Sequence, residues 1–178
     1  MRHPPVPSAA EQASQPSLLR TSQIPTSPVT NTFGFGNAVN TSAVKAVVKL
    51  DGDLNAMAMG WTPDEWNARR RLVEFKRVQE GNIINVSFKP IRLHEFKTSS
   101  IVISCIFRDD KNECYITSVD AIYLLEALIG ARFTVEEKNR IRRNLEGFKP
   151  ITVSKSKADS EPFFKLIMGF PNPKPRNI

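Results

Sequence analysis

The sequence predicts an α+β domain over residues 57–178, with helices around a small antiparallel sheet, and a disordered N-terminal third. Three observations predict this class. Two Thr-x-x-Glu motifs, at residues 62–65 and 134–137, have the spacing of capping boxes and mark the starts of helices. Residues 101–107 are apolar on both faces, which is typical of a buried strand. A polar turn at residues 109–112 then leads into a second apolar stretch, so the two stretches are expected to pair as a hairpin.

Residues 1–56 form the predicted disordered tail. Six of the thirteen prolines lie here among Ser, Thr, Asn and Gln, and aromatic residues are nearly absent. Such a composition offers too little apolar surface to offset the entropy of ordering the chain. Phe33-Gly-Phe-Gly36 is an isolated apolar patch, either a short docking motif or part of a flexible linker. Residues 43–50 are expected to form a brief strand or a helical turn.

Charge and cysteine content indicate the kind of partner and the compartment. The net charge of +7 and the pI of 9.6 favour an acidic partner, nucleic acid before an anionic membrane surface. The chain has no apolar run of about 18 residues, so no membrane span is expected. Two cysteines in 178 residues fit a reducing compartment, the nucleus or the cytosol.

The first helix of the domain is predicted from Pro63 to Gly81, with Trp61 and Trp66 at the positions of a hydrophobic staple. It carries the triplet Arg69-Arg-Arg71, which either contacts phosphate, serves in nuclear import, or is simply the basic surface of the helix. Residues 82–89 alternate between apolar and polar and are expected to form a one-sided strand that ends at Pro90. A polar loop over residues 91–99 follows.

The hairpin is predicted to pair residues 101–107 with residues 113–117. A four-residue turn places Phe107 opposite Cys114, so that Cys105 and Cys114 are diagonal neighbours on one face, about 7–8 Å apart. That distance is too long for an easy disulfide, and two buried free thiols are expected. Ser118 is expected to cap an apolar core helix over residues 119–129.

The second capping box opens a polar helix over residues 134–146, which Gly147 is expected to end in the left-handed conformation. The apolar helix, the short glycine-containing connection and this polar helix have the outline of a helix-turn-helix. Residues 148–153 are expected to form a strand, and residues 163–170 form either a strand or a short helix. A second strand there, after the basic loop at residues 154–157, would give the order of a winged helix.

The polar helix is the candidate nucleic-acid interface, because Arg reads guanine edges and phosphates and Asn reads adenine edges. Ile141 and Leu145 share its apolar side. The alternative is a charged face that is merely solvated. The predicted base readers are Asn139, Arg140 and Arg143, and the predicted phosphate contacts are Arg142, Lys149, Lys155 and Lys157.

The motifs of common enzymes are not found in the sequence. It contains no Gly-rich phosphate loop, no His-Glu-x-x-His motif and no His/Cys cluster with zinc spacing. We therefore expect neither catalysis nor a metal, a cofactor or a small-molecule substrate.

Several segments resemble the Medusa family of fungal developmental regulators, over about residues 60–178. The segments are Trp61-Thr-Pro-Asp-Glu-Trp66 with Arg69-Arg-Arg-Leu-Val73, Cys114-Tyr-Ile-Thr-Ser-Val-Asp120, Ala131-Arg-Phe-Thr-Val-Glu-Glu-Lys-Asn-Arg-Ile-Arg-Arg-Asn-Leu-Glu-Gly147 and Ile167-Met-Gly-Phe-Pro-Asn-Pro-Lys-Pro-Arg-Asn-Ile178. The resemblance implies a nuclear protein that influences transcription during spore formation (conidiation) and morphogenesis. Members of that family continue beyond the Pro-Arg-Asn-Ile segment, so this chain is expected to be a fragment, a truncated gene model or a shortened paralogue.

Two functional hypotheses follow. The first is a nuclear transcriptional regulator of fungal development that binds DNA through the basic helix and the basic loop. The second is a non-enzymatic protein-interaction module of a transcription complex that does not touch DNA. One continuous basic face joining residues 134–146 to residues 154–157 would favour the first, and an exposed apolar groove would favour the second.

Overall fold

The computed structural model describes residues 17–23 and 46–175 of the chain. Within these residues it confirms the α+β class, with a seven-stranded sheet that is larger than predicted and four α-helices. The strands are β1 (Ser17–Arg20), β2 (Val47–Asp51), β3 (Arg70–Glu80), β4 (Ile83–Ile91), β5 (Ile101–Arg108), β6 (Glu113–Thr117) and β7 (Ile151–Thr152). The helices are α1 (Pro63–Ala68), α2 (Ser118–Ile129), α3 (Val135–Glu146) and α4 (Glu161–Met168).

The strand order is β2-β4-β3-β5-β6-β1-β7, and every pair is antiparallel except β2 with β4. The two faces of the sheet are covered by different helices. On the first, which we call the α2 face, Leu128 of α2 packs in one cluster with Val73, Phe75 and Ile103. On the second, the α4 face, Phe163 and Ile167 of α4 pack with other strand residues, among them Leu18, Ile106 and Tyr115.

Two segments of the predicted tail belong to this sheet, so the domain boundary near residue 57 is wrong. β1 lies between β6 and β7, and its Leu18 and Leu19 are buried. β2 confirms the strand expected within residues 43–50 and pairs with β4. The prediction missed β1 because the composition was averaged over a long polar segment. The strand has only four residues, and its two leucines pack on opposite faces of the sheet. The remaining tail residues, 1–16 and 24–45 with the Phe33-Gly-Phe-Gly36 patch, lie outside the described residues.

The first predicted helix is correct at its start and wrong in its length. Its capping box is confirmed, and the rings of Trp61 and Trp66 pack with centroids 5.1 Å apart. The helix ends at Arg69, which takes the left-handed conformation with φ of 58°. The chain then continues as β3, whose backbone groups are shared with β4 on one side and β5 on the other. Gly81 does not end a helix but opens the two-residue turn between β3 and β4.

The predicted hairpin is confirmed, together with its register. β5 and β6 pair antiparallel with Phe107 opposite Cys114. Cys105 and Cys114 are both buried and free, as expected. The cap of α2 is Thr117, one residue before the predicted Ser118, because the Thr117 side chain accepts the N–H of Asp120 at 3.0 Å.

The C-terminal part is not a winged helix. β7 has only two residues and pairs with β1. Residues 161–168 form α4, so the segment predicted to be either a strand or a helix is a helix. The stretch is helical because its apolar residues Phe163, Ile167 and Phe170 recur at three- to four-residue spacing and share one buried cluster.

Among the described helices, none has the length and apolar character needed to cross a membrane.

Candidate nucleic-acid interface

α3 is built as its sequence predicts at the N-terminal end. The backbone N–H of Thr134 donates to the Glu137 carboxylate at 2.6 Å, and the N–H of Glu137 donates to the Thr134 hydroxyl at 3.2 Å. At the other end the prediction is wrong, since Gly147 keeps a right-handed φ of −59°. Lys149, two residues later, takes the left-handed conformation with φ of 48°.

One side of α3 is fixed to α2. Ile141 is buried with Ile122 and Phe133. The Glu126 carboxylate of α2 accepts the N–H of Phe133 at 2.9 Å and pairs with the Lys138 ammonium at 3.1 Å. Burial opposes ionisation of Glu126, but these two bonds outweigh it and lower its pKa. These contacts hold the helix against α2 and leave its opposite side in solvent.

The opposite side carries the three predicted base readers, Asn139, Arg140 and Arg143, and all three are exposed. Arg140 and Arg143 form no ion pair with any described residue. Asn139 is different, because its side-chain oxygen accepts a hydrogen bond from Arg142 at 2.9 Å. Asn pairs with adenine through both its oxygen and its amide, and the bond from Arg142 occupies one of the two lone pairs of that oxygen and restricts the orientation of the side chain.

The charge on this surface is mixed. Glu136 and Glu146 are exposed on the same helix as Arg140, Arg142 and Arg143. The helix therefore has a modest excess of positive charge, and its attraction for an anionic partner is weaker than the arginines alone suggest.

The predicted phosphate contacts lie in two places. Arg142 and Lys149 belong to α3 and the segment that follows it, with Lys149 exposed. Lys155 and Lys157, also exposed, lie in the loop that leads into α4, where the Ser154 N–H donates to the Ser160 hydroxyl at 3.2 Å. Because α4 covers the other face of the sheet, the edge strand β7 separates this loop from α3. Lys149 closely follows α3, whereas Lys155 and Lys157 follow β7 and lead into α4 on the other face of the sheet.

The arginine triplet has none of the roles considered for it. Arg70 and Arg71 are buried on β3, so they form neither a helix surface nor an accessible import signal. Arg70 donates to the carbonyl oxygens of Pro173 and Pro171 at 2.5 and 3.3 Å and lies over the Phe170 ring. Burial lowers its pKa to about 10, against the effect of Asp120, which leaves it charged at neutral pH. Arg69 pairs with Asp109 at 2.7 Å.

Arg71 follows Arg70 at the same end of β3 and lies on the opposite face of the sheet, near Trp61. Its guanidinium group pairs with Glu65 at 2.9 Å and donates to the carbonyl oxygens of Met59 and Gly60 at 2.9 and 3.0 Å. Sequence reasoning missed these contacts because it placed the triplet on a helix. The signal that was available is the Gly81-Asn82 pair, which is typical of a hairpin turn and predicts a strand before it.

The described residues contain no group of three or more His, Cys, Asp or Glu side chains that could hold a metal ion. The Cys105 thiol has a raised pKa, because it hydrogen-bonds to Cys114 and is buried. It is therefore a neutral thiol at physiological pH.

Sequence reasoning also missed an apolar cavity of about 250 Å³ between the α2 face of the sheet and α2. Part of its wall is formed by Leu19, Leu54 and Met57, which all lie in or beside the segment predicted to be a disordered tail. The apolar pair at residues 18–19 was the available signal.

One family model matches the chain, over residues 44–178, and its description is "Domain of unknown function (DUF7082)". The matched region includes β2, which again places the start of the domain before residue 57, and it excludes β1. No curated protein and no solved structure matches the chain.

Proposed function

Since the chain belongs to the DUF7082 family, whose description assigns no activity, we propose its function from the geometry of α3. The protein is a nuclear regulator of transcription in fungal development that binds DNA through this helix. The resemblance of residues 60–178 to the Medusa family supports the nuclear and developmental parts of the proposal. The net charge of +7 supports an anionic partner.

The observation that carries the proposal is the pair Arg140 and Arg143. Both are exposed and form no ion pair among the described residues, on a helix whose other side is fixed by Ile141 and Glu126. Two unpaired guanidinium groups on a rigid helix suit the acceptor-rich edge of guanine or a pair of phosphates. Arg142 and Lys149 would add backbone contacts beside them, and Lys155 and Lys157 a second set beyond β7.

The test is DNA binding by an Arg140→Ala/Arg143→Ala variant of the full chain, measured at two salt concentrations. If the arginines contact phosphate, affinity falls on all sequences and the salt slope decreases by about one per contact; if they read bases, each costs roughly 1–3 kcal/mol on the preferred site alone. Both changes are at the surface, so the free energy of unfolding should move by only about 0.5 kcal/mol.

The matched control is Lys76→Ala/Lys89→Ala, which removes the same charge from exposed positions on β3 and β4. This variant should keep the site preference, because neither lysine lies on α3. Equal DNA affinity in native protein and in a folded Arg140→Ala/Arg143→Ala variant would reject the helix as the DNA contact.

The second candidate is a protein-interaction module of a transcription complex, and one observation favours it. On the α4 face, the row that joins Lys49, Asn85 and Val78 across β2, β4 and β3 lies outside the cluster that α4 covers, and Val78 is 60% exposed. Two of the three side chains in this row are polar, so it would suit the polar rim of a protein partner's interface. If the Arg140→Ala/Arg143→Ala variant binds DNA as tightly as the native protein, this sheet surface becomes the candidate interface for a protein partner.

A further inference from the structure

The cavity on the α2 face has walls from elements that are distant in sequence. Its floor includes Val73, Phe75 and Ile103 of the sheet, and its roof includes Ala121 and Leu124 of α2. Leu145, at the end of α3, and Met57 contribute to its sides. The space has a volume of about 250 Å³ and is partly open to solvent, so a small molecule can enter it from the surface.

The polar side chains at the rim of the cavity already have partners. Arg20 pairs with Glu113 at 3.0 Å and donates to the Tyr115 hydroxyl, and Thr21 donates its hydroxyl proton to the Cys114 carbonyl oxygen at 3.3 Å. Cys105, also in the wall, is a buried neutral thiol. The wall therefore offers mainly apolar contact, and its one charged side chain, Arg20, is already paired with Glu113.

From this size and chemistry we infer that the cavity is a binding site for a small, uncharged apolar molecule. An engineered apolar cavity of about 150 Å³ admits benzene, so by proportion the space here accommodates roughly ten carbon atoms. An uncharged apolar ligand makes dispersion contacts with the side chains that line the cavity. A charged ligand would lose its hydration there without a hydrogen bond or ion pair to replace it. The inference does not depend on the proposed DNA binding, since it concerns a different surface of the chain.

Naphthalene, which has ten carbons, is the probe. It is titrated into the full-length chain without DNA, and binding is followed by the ¹³C-methyl signals of Ile103 and Leu124. We expect saturable one-to-one binding with shifts centred on the cavity walls. 2-Naphthoate has the same ring system and a carboxylate, and it should bind at least about tenfold more weakly, because its charge finds no partner inside. Equal binding of the two probes would overturn the inference.

The matched pair of variants is Ala121→Leu and Ala127→Leu. Both make the same change on α2, but only Ala121 lines the cavity. Ala121→Leu should fill the space and weaken naphthalene binding at least about tenfold, while raising the thermal midpoint of the free protein. Ala127→Leu should bind the probe like the native chain. Equal naphthalene binding by the two folded variants would overturn the inference. If Ala121→Leu does not fold, the comparison of naphthalene with 2-naphthoate on the native chain still tests the inference.

One other occupant is distinguishable. The native chain would fail to bind naphthalene while a Phe33→Ser/Phe35→Ser variant binds it. This result would mean that the chain's own Phe-Gly-Phe-Gly segment occupies the cavity. That result would also overturn the assignment to a small ligand.

Discussion

Arg71 carries a charge inside the protein and is held there by contacts to two neighbouring segments. Its guanidinium group pairs with Glu65, and the same carboxylate accepts the backbone N–H of Thr62 at 2.8 Å to complete the capping box of α1. Burial opposes ionisation of Glu65, but the hydrogen bonds from Arg71 and Thr62 outweigh it and lower its pKa. A side chain that is 5% exposed thus ties β3 to α1 and to the carbonyl groups of residues 57–60.

Removing this side chain should be costly. Arg71→Ala leaves Glu65 partly buried without its cation, and breaking a buried pair in this way costs about 3–5 kcal/mol. Arg69→Ala is the control, because the Arg69–Asp109 pair is exposed and such pairs contribute about 0–1 kcal/mol. Urea denaturation of both variants measures the difference, and equal losses in the two would show that the Arg71 pair is not a structural anchor.

Single residues were predictable where the contacts are local. The capping boxes, the Trp61–Trp66 staple and the exposure of Arg140 and Arg143 all depend on residues within one or two helical turns. The burial of Arg70 was not predictable, because the carbonyl groups that accept its hydrogen bonds belong to Pro171 and Pro173, about a hundred residues away. A charged side chain is buried only when such partners are supplied, and the sequence does not show which distant segment supplies them.

At the scale of elements, β3 shows why one segment was misassigned. Leu72, Val73 and Phe75 are compatible with a helical stripe as well as with a strand, and a genuine capping box precedes them. Tertiary pairing decides the outcome, since β3 lies between β4 and β5, and a helix here would leave each of these strands unpaired along one edge and divide the sheet. The hairpin β5–β6 was predictable because its two strands are neighbours in sequence and a four-residue turn sets the register.

The ends of α2 and α3 give a test of element boundaries. Gly130 ends α2 with φ of 75°, and a methyl group there would lie 3.3 Å from the Arg77 guanidinium group. Gly147 ends α3 with a right-handed φ of −59°, and a methyl group there would lie 3.3 Å from the backbone oxygen of Asn144. Gly130→Ala should therefore destabilise the protein by about 1 kcal/mol or more, whereas Gly147→Ala should be close to neutral, because the lower entropy of the unfolded chain offsets that close contact. Thermal midpoints of the two variants provide the comparison.

The same substitution at two helix ends is thus expected to have different costs. A loss of stability in Gly147→Ala as large as in Gly130→Ala would mean that α3 ends in the left-handed conformation that the sequence first suggested.

At the scale of the whole molecule, the sheet is assembled from parts that are far apart in sequence. β1 pairs with β6 and β7, so residues 17–20, 113–117 and 151–152 meet at one side of the sheet. The α+β class was predictable from local patterns. The strand order, the inclusion of β1 and the cavity were not, because pairing between distant segments is decided by how well their side chains pack together, and composition carries no record of that packing.

The position of Leu18 makes the unity of the fold testable. Leu18 has no exposed surface and packs on the α4 face with Tyr115 and Phe163, while Trp61 packs against Cys105 and Cys114 in a separate cluster. Leu18→Ala should cost about 2–5 kcal/mol, the range for emptying a leucine site in a core. Leu93→Ala is the control, since Leu93 is 47% exposed and its loss should change stability by only about 0.5 kcal/mol.

Unfolding of both variants should be followed by tryptophan fluorescence and by far-ultraviolet circular dichroism. If β1 is part of one cooperative domain, Leu18→Ala lowers the midpoint equally in both signals, even though the tryptophans belong to a different cluster. If Leu18→Ala alters the dichroism but leaves the fluorescence midpoint at the native value, β1 unfolds independently of the rest of the domain. In that case the structural unit would begin near residue 44, where the family match begins.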